Sequence, residues 1–140
     1  MVSTSDPALV RGEWSIDRDV ADLRTGQTGG FTGTLCVTAD GTGYSWSEQG
    51  ELTWGEYTGT ARRLLRLARH DDGWWMCFAD GRLFHPWRPG GNVVHRCVAD
   101  LYRGTIAIEG PDPDCFEITW EVTGPAKRQR IVSRMTRSGR

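Results

Sequence analysis

Cys115-Phe116-Glu117-Ile118-Thr119-Trp120-Glu121-Val122-Thr123 alternates apolar and polar side chains without a break after its cysteine. Phe116, Ile118, Trp120 and Val122 fall on one side of an extended chain; Glu117, Thr119, Glu121 and Thr123 fall on the other. A period of two is what a half-buried strand requires, because successive side chains point to opposite faces of a sheet. The flanks agree. Pro111-Asp112-Pro113-Asp114 breaks the chain before the run, and Gly124-Pro125 turns it into another extended run over 127–136.

The same reading extends toward the N-terminus. Extended runs are expected over 12–17, 31–38, 44–48, 51–54, 56–67, 74–79, 82–85, 92–98 and 101–108. Between them, Asp40-Gly41-Thr42-Gly43 reads as a hairpin turn, 26–30 as a loop and Gln49-Gly50 as a break. Asp71-Asp72-Gly73 and Asp80-Gly81 read as turns, and Asp6-Pro7-Ala8-Leu9-Val10 as a short helical turn. About nine or ten short strands joined by tight connections predict an all-β fold, an antiparallel up-and-down β-barrel. Such a barrel removes open sheet edges, and at this strand number it is either filled by side chains or holds one small ligand.

Composition bounds the function. The chain has 140 residues with 17 basic and 18 acidic side chains, for a net charge of −1. That length suits one domain over 1–140, with about 1–8 and 137–140 expected to be flexible. The charge balance argues against a nucleic-acid binder. No apolar run is long enough for a membrane-spanning helix, and the first residues lack a secretion signal, so a soluble cytoplasmic protein, monomer or homodimer, is expected. Cys36, Cys77, Cys97 and Cys115 form no C-x-x-C pair and each lies in or beside an apolar run, so reduced core thiols are expected, with no metal and no cofactor. The segment 127–140 holds six cations and no acids, whereas the first 60 residues hold nine acids and three bases. Neighbouring first and last strands would bring those charges together.

Strand parity assigns the inward side chains. Tyr57, Gly59, Ala61, Arg63, Leu65 and Leu67 form the more apolar side of their run, so Arg63 is predicted to face inward and Arg62 outward. Tyr44, Trp46 and Glu48 share a face, placed inside. A buried arginine needs an anion, because an unpaired buried charge costs several kcal/mol. Glu48 and an anionic ligand are the two candidate partners. His85 and His95 flank the Trp87 segment, and Cys97 shares a strand face with His95. Each histidine either hydrogen-bonds to Asp80, Asp100 or a carbonyl, or serves as a general acid or base. His70 reads as a solvated turn residue, Arg82 as a partner for Asp100, and Lys127 as a solvated cation near the barrel mouth. Of the seven tryptophans, Trp14, Trp46, Trp54, Trp74 and Trp120 are candidates for the core, and Tyr44, Trp46, Phe78, Phe84, Tyr102 and Trp120 are candidate walls of a pocket floored by Arg63, Glu48 and His95.

Gly12-Glu13-Trp14 on the first strand, together with Arg134 or Arg137 near the end, resembles the calycin (lipocalin-like) superfamily. In those barrels the early indole packs under a late arginine, a cation over a π face. A second resemblance covers nearly the whole chain. It rests on Gly30-Phe31-Thr32-Gly33-Thr34, Ala61-Arg62-Arg63, Phe78-Ala79-Asp80-Gly81-Arg82-Leu83-Phe84-His85, His95-Arg96-Cys97-Val98-Ala99-Asp100-Leu101-Tyr102 and Trp120-Glu121-Val122-Thr123-Gly124-Pro125-Ala126-Lys127. These stretches are similar to a bacterial and fungal family of barrel-like domains of unknown function. The chain departs from that family at Arg128-Gln129-Arg130 and Leu65, where aromatic residues are usual. The resemblance implies a calycin-like barrel and no particular activity. The expected function is binding of a small, partly aromatic or acyl ligand, with an anionic group as an option, inside the barrel. The alternative is a cofactor-independent acid–base enzyme (isomerase, cyclase or hydrolase) using His85 or His95 with Arg63. A filled, purely structural barrel is the third reading.

Overall fold

A computed structural model describes residues 5–71 and 73–139. After a 3-10 turn over Pro7–Val10, the chain forms ten strands. They are β1 (Gly12–Asp22), β2 (Thr28–Asp40), β3 (Gly43–Trp54), β4 (Tyr57–His70), β5 (Gly73–Phe78), β6 (Leu83–Pro86), β7 (Asn92–Cys97), β8 (Asp100–Ile108), β9 (Cys115–Gly124) and β10 (Lys127–Arg137). All pair antiparallel in the order β6-β5-β4-β3-β2-β1-β10-β9-β8-β7, a meander whose first and last strands are central neighbours. The expected all-β up-and-down barrel, with its short N-terminal helical turn, is the observed architecture. Residues 1–4 and 140, and with them part of the ends expected to be flexible, lie outside the described residues, as does Asp72 in the expected 71–73 turn.

The barrel is nearly closed. Its seam falls between β6 and β7, the two ends of the hydrogen-bonded order. Aromatic side chains bridge it. Phe84 on β6 stacks against Phe78 at 4.8 Å and against Trp120 of β9 at 5.6 Å. His95 of β7 meets Phe84 edge-on at 5.0 Å. Trp87, in the segment joining β6 to β7, is buried edge-on to Trp46 at 5.9 Å. Its indole N–H has no hydrogen-bond partner among the described residues.

Two strands run further than expected. Gln49-Gly50 lies inside β3, and Gly29-Gly30 inside β2. The glycines mark close backbone approach instead of a strand end. Gly33 and Gly50 are register partners, and a Cβ on Gly50 would lie 2.1 Å from the Thr32 carbonyl oxygen. β1 also continues past Asp17 to Asp22, which places Arg18 in the strand. The cysteines need a correction too. Only Cys77 is buried; Cys36, Cys97 and Cys115 are exposed. Cys36 sits between buried Leu35 and Val37, so it occupies the outward phase of β2, and adjacency to an apolar run did not imply an inward position.

One end of the barrel is plugged by the 3-10 turn. Asp6 caps that turn by accepting from the Ala8 N–H at 2.9 Å, and Pro7, Leu9 and Val10 are buried. The Trp14 indole donates to the Val10 carbonyl at 2.9 Å and meets Phe116 edge-on at 4.7 Å. Of the two late arginines expected to pair with Trp14, the one that does so is Arg137, whose guanidinium lies 4.0 Å from the centre of a Trp14 ring. It donates to the carbonyls of Leu9 at 3.1 Å, Arg11 at 2.7 Å and Pro113 at 3.1 Å. Gly12 has φ +115°, and a Cβ there would come within 2.8 Å of an Arg137 nitrogen, so glycine is required one turn of the pattern before the indole. Arg134 instead lies outside, donating to Asp19 at 2.9 Å and lying 3.7 Å from Glu117. This is the attraction between first and last strands that the charge asymmetry predicts.

Candidate functional site

Parity along β1 turns Trp14, Ile16, Arg18 and Val20 to one side, and Trp14 and Ile16 are buried. Arg18 therefore points into the barrel. Parity along β3 does the same for Glu48, two residues after Trp46, and both are buried. Register sets Arg63 of β4 directly opposite Glu48. These positions converge on one carboxylate. Arg18 binds Glu48 bidentately, with both nitrogen–oxygen distances 3.1 Å. Arg63 donates at 3.0 Å and the Trp46 indole at 2.9 Å. The third donor of Arg18, Nε, is taken by Ser133 Oγ of β10 at 2.6 Å.

Glu48 thus accepts four hydrogen bonds, about the full capacity of an ionised carboxylate. Burial works to raise its pKa, but the guanidiniums of Arg63 and Arg18 outweigh that and hold the carboxyl at about 2. Two fixed cations around one fixed anion leave one positive charge in excess. The two arginines differ in exposure: the Arg18 side chain is 15% exposed and that of Arg63 47%. The excess charge is therefore presented by Arg63.

Beside this cluster lies a cavity of about 210 Å³. Arg18, Glu48, Arg63 and Ser133 form its polar side, and Phe84, Trp120 and Leu65 part of its apolar wall. His85 also lines it and is buried. Its Nδ1 lies 2.8 Å from the Pro86 carbonyl oxygen. A carbonyl only accepts, so Nδ1 carries the proton. Burial pushes the His85 pKa down to about 4 against the pull of that carbonyl, and the nearby charges of Arg63 and His95 push the same way. A larger hollow of about 600 Å³ lies against the outward side chains of β7–β10, including Arg103, Glu121 and Arg130. It is an outer-surface groove without aromatic walls.

Of the residues singled out from sequence, Glu48, Arg63, Trp46, Phe84, His85, Tyr102 and Trp120 border one cavity. Tyr44, Phe78 and His95 do not. Tyr44 packs near Trp74 at 5.8 Å, and Phe78 and His95 belong to the aromatic bridge over the seam, where His95 also meets Tyr102 at 5.7 Å. His95 and exposed Cys97 form no joint site with His85, whose hydrogen bond goes to a carbonyl and not to Asp80 or Asp100. Arg82 closes its own turn on Asp80 at 2.7 Å, while Asp100 pairs with Lys127 at 3.4 Å. The local pairing wins because the turn already holds the two groups together. Lys127 is accordingly paired instead of simply solvated. Arg18 and Ser133 are the site residues that reading the sequence missed. The signal was present: continuing the Trp14–Ile16 parity by one step reaches Arg18.

No curated protein matches the chain. Among solved structures, an S-type phycobiliprotein lyase from Guillardia theta is similar with a TM-score of 0.64 at 11% identity, over 95% of this chain and 90% of that one. A de novo designed fluorescence-activating β-barrel is similar with a TM-score of 0.51 at 13% identity, over 99% of this chain and 100% of that one. At these identities the likeness is one of fold, an antiparallel β-barrel. A family model described as a family of unknown function (DUF6314) matches residues 10–137, and the chain belongs to that family.

Proposed function

We propose that the barrel binds a small anionic ligand with one aromatic ring, its acidic group on Arg63 and its ring against Phe84 and Trp120. One observation carries this reading: Glu48 already accepts from four donors, while Arg63 gives it a single nitrogen and stands half-exposed beside an aromatic-walled cavity. A guanidinium with donors to spare is suited to bidentate capture of a carboxylate. The volume bounds the size. Sites for drug-sized ligands run to about 300–1,000 Å³, so a cavity of about 210 Å³ takes a single ring with a short arm. The similar lyase and the designed fluorescence-activating barrel support small-molecule binding as a use of this fold. Binding is favoured over acid–base catalysis because a histidine held near pKa 4 is a weak general base at neutral pH.

Titration with benzoate, followed by intrinsic tryptophan emission, tests the reading, since Trp46 and Trp120 border the cavity. Binding is expected to shift the emission, and Arg63→Ala is expected to weaken it by about tenfold to a hundredfold, the range of a lost charge-assisted hydrogen bond. Equal affinity in that variant would remove Arg63 from the site.

A further inference from the structure

The polar groups bordering the cavity are not all satisfied by one another, and what they lack describes the ligand further. Glu48 is already engaged on both oxygens, Oε2 accepting from Arg18, Arg63 and the Trp46 indole and Oε1 from Arg18. Arg18 has all three guanidinium nitrogens engaged, Nη1 and Nη2 by Glu48 and Nε by Ser133. Besides the spare Arg63 nitrogens, two groups are incompletely used. The Ser133 hydroxyl accepts from Arg18 Nε at 2.6 Å, but no acceptor for its own proton is found among the described residues. His85 directs Nδ1 to the Pro86 carbonyl at 2.8 Å, and its Nε2 has no protein hydrogen-bond partner among the described residues.

The His85 tautomer follows from that contact. Because the carbonyl can only accept, Nδ1 is the protonated nitrogen, and in a neutral imidazole the other nitrogen is a pure acceptor. Neutrality near pH 7 is supported by burial and by the proximity of Arg63, both of which disfavour the imidazolium. The ring is held in place: Phe84 meets it edge-on at 4.7 Å and Trp120 at 5.0 Å. The cavity therefore has a cationic donor side at Arg63 and Ser133, and a fixed acceptor at His85 beside the aromatic wall.

We infer that the ligand carries, besides its anionic group, an O–H or N–H on the ring that donates to His85 Nε2. The class is a hydroxylated aromatic acid or an N–H heteroaromatic acid. This rests on the anionic-ring reading above and narrows it. The unused Ser133 hydroxyl and the spare Arg63 nitrogens would meet the carboxylate oxygens.

The test compares para-hydroxybenzoate, para-methoxybenzoate and benzoate on the full-length protein. The methoxy compound keeps ring, charge and ether oxygen and replaces the donor proton by a methyl group, while benzoate lacks the donor without added bulk. Para-hydroxybenzoate is expected to bind about tenfold tighter than either of the others, the size of one buried hydrogen bond whose loss strands an acceptor. In His85→Phe the ratio of para-hydroxybenzoate affinity to benzoate affinity should fall to about one. Equal affinities in the unaltered protein would overturn this inference and leave the anionic-ring reading standing; a preference that survives in His85→Phe would also overturn it. Failure of all three compounds to bind would remove both readings. Should His85→Phe not fold, the three-compound comparison in the unaltered protein decides alone.

Discussion

The two halves of this barrel each place an arginine among aromatic rings, and they use it differently. At the plugged end Arg137 lies over Trp14 and donates to two carbonyls of the 3-10 turn and its cap, Leu9 and Arg11, and to that of Pro113 before β9. In the cavity half Arg18 lies 5.2 Å from the Phe31 ring and is likewise consumed, by Glu48 and Ser133. Arg63 alone among these three donates through a single nitrogen and stands half-exposed. What separates a structural arginine from an available one is thus the number of acceptors built around it. Depth alone does not decide it: the plugged end spends its cation on closing the barrel, and the cavity half keeps a surplus charge.

The strongest way to break that contrast is to remove the shared anion. Glu48→Ala would leave Arg18 largely buried without its counter-ion and strand the Trp46 indole N–H. A loss of about 3–5 kcal/mol is expected, as for other buried pairs cut on one side. Urea denaturation measures it. A loss under about 1 kcal/mol would mean the cluster is solvated and the two halves are alike.

Acid should distinguish the halves almost as strongly. His85 has its folded pKa lowered from 6.5 to about 4. The unfolded chain therefore takes up a proton that the folded chain refuses. Stability from this group is complete above about 6.5 and is lost as pH falls toward 4, by roughly 3 kcal/mol over the whole window. Glu48, lowered from 4.5 to about 2, adds a second loss below that. Stability measured against pH in His85→Phe should lose the upper step and keep the lower one. An unchanged profile would mean that the buried imidazole is not what the acid titrates.

At the plugged end, Arg137→Ala removes a cation–π contact and three hydrogen bonds to carbonyls. About 2 kcal/mol is expected from a desolvated contact of this kind, with no change in benzoate affinity. A parallel loss of affinity would show that the two ends are coupled and that the comparison draws the line in the wrong place.

How far the sequence reached follows from what alternation encodes. Phe116, Ile118, Trp120 and Val122 announce a strand and its inner face, and enough such runs with short turns announce a barrel. The pairing of Glu48 with Arg63 was within reach because adjacent strands share a register. Height in the barrel was not. Parity says that Tyr44, Trp46 and Glu48 face inward, but strand tilt and stagger decide which inward residues share a level. Tyr44 therefore packs near Trp74, and Phe78 and His95 bridge the seam instead of bordering the cavity. Glycine misled in the opposite direction. Gly50 reads as a turn residue, yet it lets two backbones approach within a continuous strand.

Arg63→Ala is the gentlest test and the most discriminating. Removing a half-exposed partner from a carboxylate that keeps both bonds from Arg18 and the Trp46 indole should cost no more than about 1 kcal/mol, the range of solvent-screened pairs. The same change should cost at least about tenfold in benzoate affinity. Stability and affinity must therefore separate at this position, whereas at Glu48 the expected loss is one of stability. Were Arg63→Ala to destabilise the barrel as Glu48→Ala does, its guanidinium would be a strut like that of Arg137. The cavity half would then hold no surplus charge with which to receive an anion.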